Sequence, residues 1–228
     1  MIAKMNVVFV LGFLLMASAF ASDNSVGSCE TNEECTPNYS GFKNNGTVAT
    51  YLRQYTSQLV DKSFHFLIMS SAFNMHKLDR PGFEKLYRKI SDKAWEDAID
   101  LIKYQSRRGS FGYLVQPNKK GNYAKVLKTK ELSSLQFALD YEKTMAKEAH
   151  VIHRAISHAH SNGVSKGEDY EHYDPDAAHY LDEKIIEYQS GVVRDLAGYI
   201  NNLKHFTEKE AAADLGNHVF DEYLASVY

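Results

Sequence analysis

Charged side chains lie on the inward side of predicted helices, where apolar residues are expected. In the stretch SDKAWEDAIDLIKYQSRRG, residues 91–109, Lys93 and Asp97 fall on the side that the helix would bury. Glu142 falls on the apolar stripe of another predicted helix. Inward carboxylates hold metal ions in some helical bundles and form buried ion pairs in other proteins. These residues therefore indicate either a metal site or a buried ionic cluster.

The usual metal-binding pattern of helical bundles is absent from the sequence. That pattern combines inward glutamates with Glu-x-x-His, because residues three apart share a helix face and offer oxygen and imidazole ligands. The sequence has no Glu-x-x-His, but Asp-x-x-His occurs twice, at Asp169/His172 and Asp176/His179. Both aspartates lie close to a helix start, where aspartate commonly caps the helix. We therefore interpret them as caps.

The inward charges are predicted to neutralise one another. A buried carboxylate without a partner is costly, so Glu142 requires a cation or a proton. Lys184 lies on the stripe of the fourth predicted helix, and Lys93 lies near the inward side of the second. We therefore predict that Lys93, Asp97, Glu142 and Lys184 form a buried ionic cluster, which fills space that could otherwise hold metal ions.

Apolar residues repeat every three to four positions over most of the chain, which predicts helices. Four long helices are predicted, over about residues 48–76, 81–108, 132–160 and 175–207, followed by a short helix at 218–227. Asp79 and Asp174 are the predicted N-caps of the second and fourth helices, each with a proline in the first turn. Gly109 is the predicted C-terminal stop of the second helix.

The second and third predicted helices are separated by about twenty residues without clear periodicity, 110–129. A connection of that length can run the length of a bundle, which would make these two helices parallel. One long crossover is the arrangement of ferritin-like bundles. We therefore predict that residues 47–228 form an all-α fold, a ferritin-like four-helix bundle with one long crossover and a short fifth, C-terminal helix.

The N-terminus has the features of a secretory signal peptide, over residues 1–21. Lys4 precedes an apolar run, and Ala19-Phe20-Ala21 has the small-x-small pattern of a cleavage site, so that Ser22 would begin the mature chain. The run is too short to cross a bilayer comfortably, which argues against a membrane anchor. We therefore expect secretion without membrane insertion.

Residues 22–46 are polar and predict an irregular N-terminal arm. Cys29 and Cys35 are the only cysteines of the chain. In an oxidising compartment both should be paired, either with each other or with a partner chain. Asn38 and Asn45 each begin an Asn-x-Ser/Thr sequon and are candidate glycosylation sites.

The bulk composition is that of a globular protein with a sizeable core. The chain has 228 residues, of which 44% are hydrophobic and 24% are charged. The formal net charge is −3, and no basic stripe is present to release counterions from a phosphate backbone. We therefore expect no nucleic-acid partner.

Four stretches of the sequence resemble the ferritin family, in particular its secreted insect light-chain branch. They are FHFLIMSSAF, YQSRRG, LDYEK and HYLDEK, in the family's order and at its separations. The resemblance covers essentially all of residues 47–228, and the signal peptide and the cysteine-bearing arm match the secreted branch.

The resemblance implies that the chain lacks a ferroxidase site. Heavy subunits of the family oxidise Fe(II) inside the bundle, and their ligand positions fall on Leu59, Phe66, Lys93, Ala94, Asp97, Glu142 and Lys184 of this sequence. Only Glu142 keeps the family's residue. Two ammonium groups at such a site would repel iron further. Glu142 is therefore at most a residual iron ligand.

Two further iron-contacting regions of the family are altered or ambiguous in this sequence. The inner-surface glutamate patch of vertebrate light subunits falls on a mixed set in which only Asp92 and Glu96 are acidic, so a weak ferric-binding patch and a merely solvated helix face both stay open. Asp174 matches a channel acid of the family, and it is also the predicted helix cap. We favour the cap as its main role.

These implications favour a non-catalytic, light-type subunit of a secreted iron-storage or iron-transport shell. Iron would be stored as a ferric mineral, without a catalytic cofactor. Oxidation would come from a heavy-chain homologue in a hetero-oligomer, which the family implies to have twenty-four subunits. An inter-chain disulfide through Cys29 or Cys35 is one way to join the two chain types.

Two other functions stay open. One is a ferroxidase with an altered site built on Glu142 and Asp97. The other is a secreted helical-bundle ligand or carrier, which would be a monomer or dimer. The short C-terminal helix favours the shell, because we expect it to have little to pack on within a lone bundle.

Overall fold

The computed structural model describes residues 35–43, 46–110, 114, 130–157, 173–207 and 213–228. The chain divides into two compact units, Met1–Thr36 and Pro37–Tyr228, and the described helices all lie in the second. They are α1 (Thr47–Phe73), α2 (Pro81–Arg107), α3 (Glu131–Ser157), α4 (Pro175–Leu181), α5 (Glu187–Thr207) and α6 (Ala213–Val227). A π-helical turn, Asp182–Ile186, joins α4 to α5 without a break, so these segments form one long fourth helix. The described residues contain no β-strand, which agrees with the all-α prediction.

α2 and α3 run in the same direction, as contacts at their ends show. Where both helices begin, Arg80 Nε donates to Glu131 Oε1 at 3.0 Å. Where both end, Arg108 pairs with Asp174 at 2.7 Å, and the Asp174 N–H donates to the carbonyl oxygen of Ile156 at 2.8 Å. Each helix has 27 residues, a length of roughly 40 Å. The parallel direction of α2 and α3 agrees with the predicted ferritin-like arrangement, while most of the connection lies outside the described residues.

α1 runs antiparallel to α2. Phe73 at the end of α1 stacks on Phe83 at the start of α2, with ring centroids 5.2 Å apart. At the opposite end, Arg53 donates to the Ser110 hydroxyl at 2.9 Å. α1 also contacts the fourth helix, since Gln189 Nε2 donates to the Tyr55 hydroxyl at 3.0 Å. The four long helices thus form the predicted bundle.

The core consists of two apolar clusters, one towards each end of the bundle. The first joins the N-terminal half of α1 to α4, and the second joins the C-terminal half of α1 to α5 and α6. Each fully buried leucine or phenylalanine stabilises the fold by about 1.5–3 kcal/mol. The largest fully buried side chains include Tyr55, Tyr87, Phe42, Phe66, Phe73, Phe83 and Phe220.

The two predicted N-caps have different outcomes. Asp174 caps α4 as predicted, because its Oδ1 accepts from the Ala177 N–H at 2.8 Å. The prediction for Asp79 is wrong: its φ is 49°, and Arg80 is the N-cap residue of α2, without a side-chain cap bond. Asp79 belongs to the preceding turn, where aspartate tolerates a left-handed backbone.

α2 receives its capping carboxylate from the C-terminal helix instead. The Phe83 N–H donates to Oδ1 of Asp221 in α6 at 2.9 Å, and Asp221 is buried. Burial raises the pKa of Asp221, while the backbone hydrogen bonds from Phe83 and Gly82 and the charge of Arg80 oppose that rise. A carboxylate is favoured at this position because a helix N-terminus carries partial positive charge.

α6 packs closely against the start of α2, contrary to the expectation that it has little to pack on. A Cβ atom on Gly82 would lie 2.0 Å from the carbonyl oxygen of Asp221 and 2.8 Å from the nitrogen of Ala225. Phe220 is buried, with its ring centroid 5.9 Å from that of Phe83. The expectation failed because the sequence pattern does not show that a glycine allows the two backbones to touch.

Gly82→Ala should destabilise the chain by about 1–3 kcal/mol, because the added methyl group pushes α6 off the start of α2. Gly198→Ala is the matched control, since nothing lies within 4 Å of its added Cβ in the middle of α5. That change should stabilise the chain by about 0.5–1 kcal/mol through helix propensity. Denaturant unfolding of both variants measures the difference, and equal effects would contradict the proposed close approach.

Candidate functional site: a buried ionic cluster within the bundle

Glu142 of α3 is buried in the centre of the bundle and is neutralised by a lysine of α1. The Nζ atom of Lys62 lies 2.7 Å from Oε1 of Glu142 and donates to Oε2 at 2.8 Å. The side chains are only 5% and 1% exposed, respectively. A buried carboxylate paired in this way avoids the cost of an isolated charge, which would be several kcal/mol.

A second ion pair lies beside the first, within α2. Lys93 and Asp97 are bonded to each other one helical turn apart, and Asp97 is nearly buried. Burial raises the pKa of Asp97, and the hydrogen bond and charge of Lys93, together with the charge of Lys62, only partly offset that rise. The Lys93 ammonium also lies 4.9 Å from the ring centroid of Tyr188 in α5.

Two tyrosines near these pairs remain neutral. Burial raises the pKa of Tyr55, and the negative charges of Glu142 and Asp97 add to the rise. Burial raises the pKa of Tyr188 to about 12, and the same two carboxylates contribute. The formal charge of the cluster is therefore set by Lys62 and Lys93 against Glu142 and Asp97, and it sums to zero.

The prediction that Lys184 belongs to this cluster is wrong. Its side chain is 55% exposed and pairs with Glu183 at 2.8 Å. Lys184 lies in the π-helical turn, where the extra residue per turn changes which positions face inward. Ile185 and Gln189 are buried in its place. The sequence pattern assumed an uninterrupted 3.6-residue period, so it assigned the wrong residue.

Lys62, the actual partner of Glu142, was not predicted. A signal was present, because Lys62 follows Leu59 by three residues and precedes Phe66 by four, and both of these are buried. Lysine is almost never fully buried unless it is paired, so a lysine on an apolar stripe is usually taken to extend to solvent. Lys93 and Asp97 are paired with each other, and the charge of Lys62, the partner of Glu142, acts on Asp97.

The donor atoms at these positions do not fit a di-iron centre. Both oxygens of Glu142 face the Lys62 ammonium, and Asp97 is bonded to Lys93. The matched positions Leu59 and Ala94 supply no ligand atom. Within the described ranges, no group of three or more histidine, cysteine, aspartate or glutamate residues is arranged to hold a metal ion. We therefore derive no oxidation step through iron at this site.

Asp92 and Glu96, the candidate inner-surface acids, are exposed on α2. Arg88 Nε lies 3.0 Å from both oxygens of Asp92. The surrounding groove has a volume of about 860 Å³ and is lined by five cations and four acids. These are Lys85, Arg88, Lys89, Lys93 and Lys103, against Glu84, Asp92, Glu96 and Asp100. The mixed charge gives no concentrated acidic patch, and a weak ferric-binding role for Asp92 and Glu96 stays a prediction.

Asp174, the candidate channel acid, is fully buried with both oxygens occupied. Its Oδ1 caps α4, and its Oδ2 accepts from Nη2 of Arg108 at 2.7 Å. The more exposed Asp176 accepts from the Tyr104 hydroxyl at 2.9 Å. Partial burial raises the pKa of Asp176, whereas the hydrogen bond from Tyr104 and the charge of Arg108 lower it. The lowering effects are larger in sum, so the pKa of Asp176 lies below its ordinary value. This geometry favours the cap over a channel ligand for Asp174.

Several predicted features lie outside the described residues. The signal peptide, Cys29 and Asn45 are among them, so cleavage, disulfide pairing and glycosylation at Asn45 stay predictions. Cys35 is described and is not a free cysteine. No helix in the described part of the chain is long and apolar enough to cross a membrane.

The chain is similar to insect ferritins over most of its length. No protein-family model matches it. It is 34% identical to the ferritin light chain of Trichoplusia ni over 196 residues, which cover 83% of this chain and 80% of the relative. It is 32% identical to the ferritin light chain of Drosophila melanogaster over 225 residues, or 94% of this chain and 93% of the relative. A solved Trichoplusia ni secreted ferritin superimposes with a TM-score of 0.71 at 33% identity, covering 85% of this chain and 89% of that one.

Lys62→Met should destabilise the chain by about 3–5 kcal/mol, because it leaves Glu142 buried without a counter-charge. Adding Glu142→Leu should recover most of that loss, since replacing both partners by apolar groups is often neutral. Lys184→Met is the control and should leave the stability nearly unchanged, because this lysine is exposed. Denaturant unfolding measures all three. A double variant that is less stable than Lys62→Met would contradict the pairing.

The stability of the Asp97→Asn variant should increase relative to that of wild type as the pH rises. Because the folded-state pKa of Asp97 is raised, the folded chain binds its proton more tightly than the unfolded chain does. Wild type therefore loses stability as the pH rises from the ordinary carboxyl range of about 4 through the raised pKa, and the asparagine variant does not. Unfolding free energies of both proteins, measured at several pH values between acid and neutral, test this prediction. If wild type gained stability relative to the variant as the pH rises, the raised pKa of Asp97 would be contradicted.

Proposed function

Because the chain belongs to the ferritin family, we propose that it is a non-catalytic, light-type subunit of a secreted shell that stores or transports iron. Two relatives that support this carry the name ferritin light chain, and one solved relative is a secreted ferritin. The chain is also 26% identical to a ferritin heavy chain of Trichoplusia ni over 77% of its length. A heavy-type subunit of this kind is the proposed partner, and it supplies the oxidation step.

The Lys62–Glu142 pair is the observation that carries the proposal. Glu142 is the retained residue at the positions that resemble the ferroxidase ligands, and the Lys62 ammonium lies directly against it. An ammonium ion and Fe(II) about 4 Å apart repel one another by roughly 8 kcal/mol at an effective dielectric constant near 20. The bundle therefore carries its own cation where a catalytic relative would bind iron.

Exposed apolar side chains support a shell over a lone carrier. Phe64, Ile68 and Trp95 form a patch on α1 and α2, each of them 40% exposed or more. The rings of Phe64 and Trp95 contact edge to face, with centroids 6.4 Å apart. An exposed apolar patch of this kind marks a protein-contact surface. A subunit of a shell buries such a surface against its neighbours.

Fe(II) oxidation followed by stopped-flow absorbance tests the proposal. The chain alone should oxidise Fe(II) no faster than buffer, and Glu142→Ala should leave that oxidation rate unchanged. Co-assembly with a ferritin heavy chain should give particles that oxidise Fe(II) at a rate proportional to their heavy-chain content. Heavy chain alone at matched concentration is the control.

Rapid oxidation by the chain alone, abolished by Glu142→Ala, would replace the proposal with the altered ferroxidase. Size-exclusion chromatography provides the second test. A large hollow particle, formed by the chain with its heavy partner, is expected. A monomer or dimer in the presence of the heavy chain would favour the secreted ligand or carrier instead.

A further inference from the structure

A cavity lies between α2 and α5, and Tyr228, the residue after α6, forms part of its wall. The volume of the cavity is about 270 Å³. Its apolar lining comes from both helices and consists of Leu86, Ile90, Val192 and Leu196. Leu86, Ile90 and Leu196 are each 5%, 2% or 1% exposed at most and belong to the second apolar cluster, so the cavity reaches the core of the bundle.

A glycine near the start of α5 leaves space at one wall of this cavity. Gly191 lines the cavity, and a Cβ atom placed on it would have no atom of the described chain within 4 Å, apart from its own stretch of helix. The packing of the chain therefore does not require glycine here, although glycine inside a helix is unfavourable relative to alanine. The missing side chain leaves room for a molecule that is not part of the chain.

Two tyrosine hydroxyls at the cavity form a pair that keeps one hydrogen-bond donor unused. Tyr199 and Tyr228 both line the cavity, and their hydroxyl oxygens lie 3.0 Å apart. Burial raises the pKa of both tyrosines, so both hydroxyls are protonated at neutral pH. Whichever hydroxyl donates to the other, the proton of the accepting hydroxyl has no acceptor among the described residues. That proton is available to an acceptor atom of a bound molecule.

The formal charges at the rim of the cavity cancel, which favours a neutral molecule. Lys89 and Glu187 are exposed at the rim and carry opposite charges. Asp195, the third charged residue of the lining, is paired with Arg194, whose Nη1 lies 2.8 Å from Oδ1 of Asp195. An anion or a cation would lose hydration against the apolar wall without a net counter-charge to compensate for it.

We propose that this cavity binds a small neutral aromatic molecule that carries one hydrogen-bond acceptor. An apolar cavity of about 150 Å³ holds one benzene molecule. The volume of about 270 Å³ therefore leaves room for a single ring with a short polar substituent. The ring packs against the apolar lining, and the substituent accepts the unused proton of the Tyr199–Tyr228 pair. The site goes beyond the proposed function, because it lies within one chain and requires neither iron nor a partner.

Ligand-observed NMR with the purified full chain, in the assembly in which it is isolated, tests this inference. Acetophenone is the probe, because it has one ring and one carbonyl acceptor. Ethylbenzene has nearly the same shape without the acceptor, while benzoate and benzylammonium carry a negative and a positive charge. Saturation-transfer titrations give the Kd of each compound. Acetophenone should bind roughly three- to tenfold more tightly than ethylbenzene, because one hydrogen bond separates them, and more tightly than either ion.

Variants of two kinds locate the bound probe. Gly191→Leu adds a side chain at the cavity wall and should abolish saturable binding of acetophenone. Gly198→Leu is the matched control, because Gly198 lies in the same helix, also has no neighbouring atom within 4 Å of an added Cβ, and does not line the cavity. Tyr199→Phe alone should have a small effect, since Tyr228 keeps its own O–H donor. The double variant Tyr199→Phe/Tyr228→Phe should lower the affinity for acetophenone to that for ethylbenzene.

Absence of saturable acetophenone binding would overturn the inference, and so would a Gly198→Leu variant that loses as much affinity as Gly191→Leu. Ethylbenzene or either ion binding as tightly as acetophenone would overturn the assigned ligand class. The tyrosine variants test the site even if Gly191→Leu does not fold, because they keep the backbone and nearly all of the side-chain volume. A double tyrosine variant with the wild-type affinity for acetophenone would reject the assigned hydrogen bond. Particle size and iron oxidation test the proposed function separately.

Discussion

The carboxylate of Glu142 imposes the main constraint on the interior of this bundle. A charge at the centre of four packed helices has almost no access to water, so it has to be neutralised within hydrogen-bonding distance. Lys62 does this from α1, and the aliphatic part of its side chain occupies the apolar stripe between Leu59 and Phe66. The pair also fixes α1 against α3, because neither charge tolerates separation from the other.

The neighbouring Lys93–Asp97 pair extends this arrangement to α2, and the tyrosines around it stay neutral. The cluster as a whole carries no formal charge. Its net contribution to stability need not be large, since burying ions is itself costly. The carboxylate oxygens of Glu142 lie against the Lys62 ammonium, and Asp97 is bonded to Lys93.

Helix ends in this structure are stabilised from distant parts of the chain. α2 lacks a local cap, and Asp221 of α6 supplies the carboxylate after a separation of 138 residues. α4 has its own cap in Asp174, and Arg108 bonds both that carboxylate and the carbonyl oxygen of Tyr39. These contacts join the helices to residues that precede α1 and to the C-terminal helix.

The sequence by itself determined the helices and their order, because apolar periodicity, Asp174-Pro175 and Gly109 are local signals with local physical causes. It also predicted the parallel arrangement of α2 and α3, since a connection of about twenty residues can run the length of the bundle. It identified Glu142 and Asp97, which are buried, and Lys93, which is 29% exposed, as charges on or near the inward side. Only the tertiary structure decided which cation meets Glu142, because pairing depends on the positions of side chains on different helices. The π-helical turn directs Lys184 outward. The packing of α1 on α3 places Lys62 against Glu142. A local sequence pattern shows neither the change of helical register at the π-helical turn nor the depth at which side chains of two helices meet.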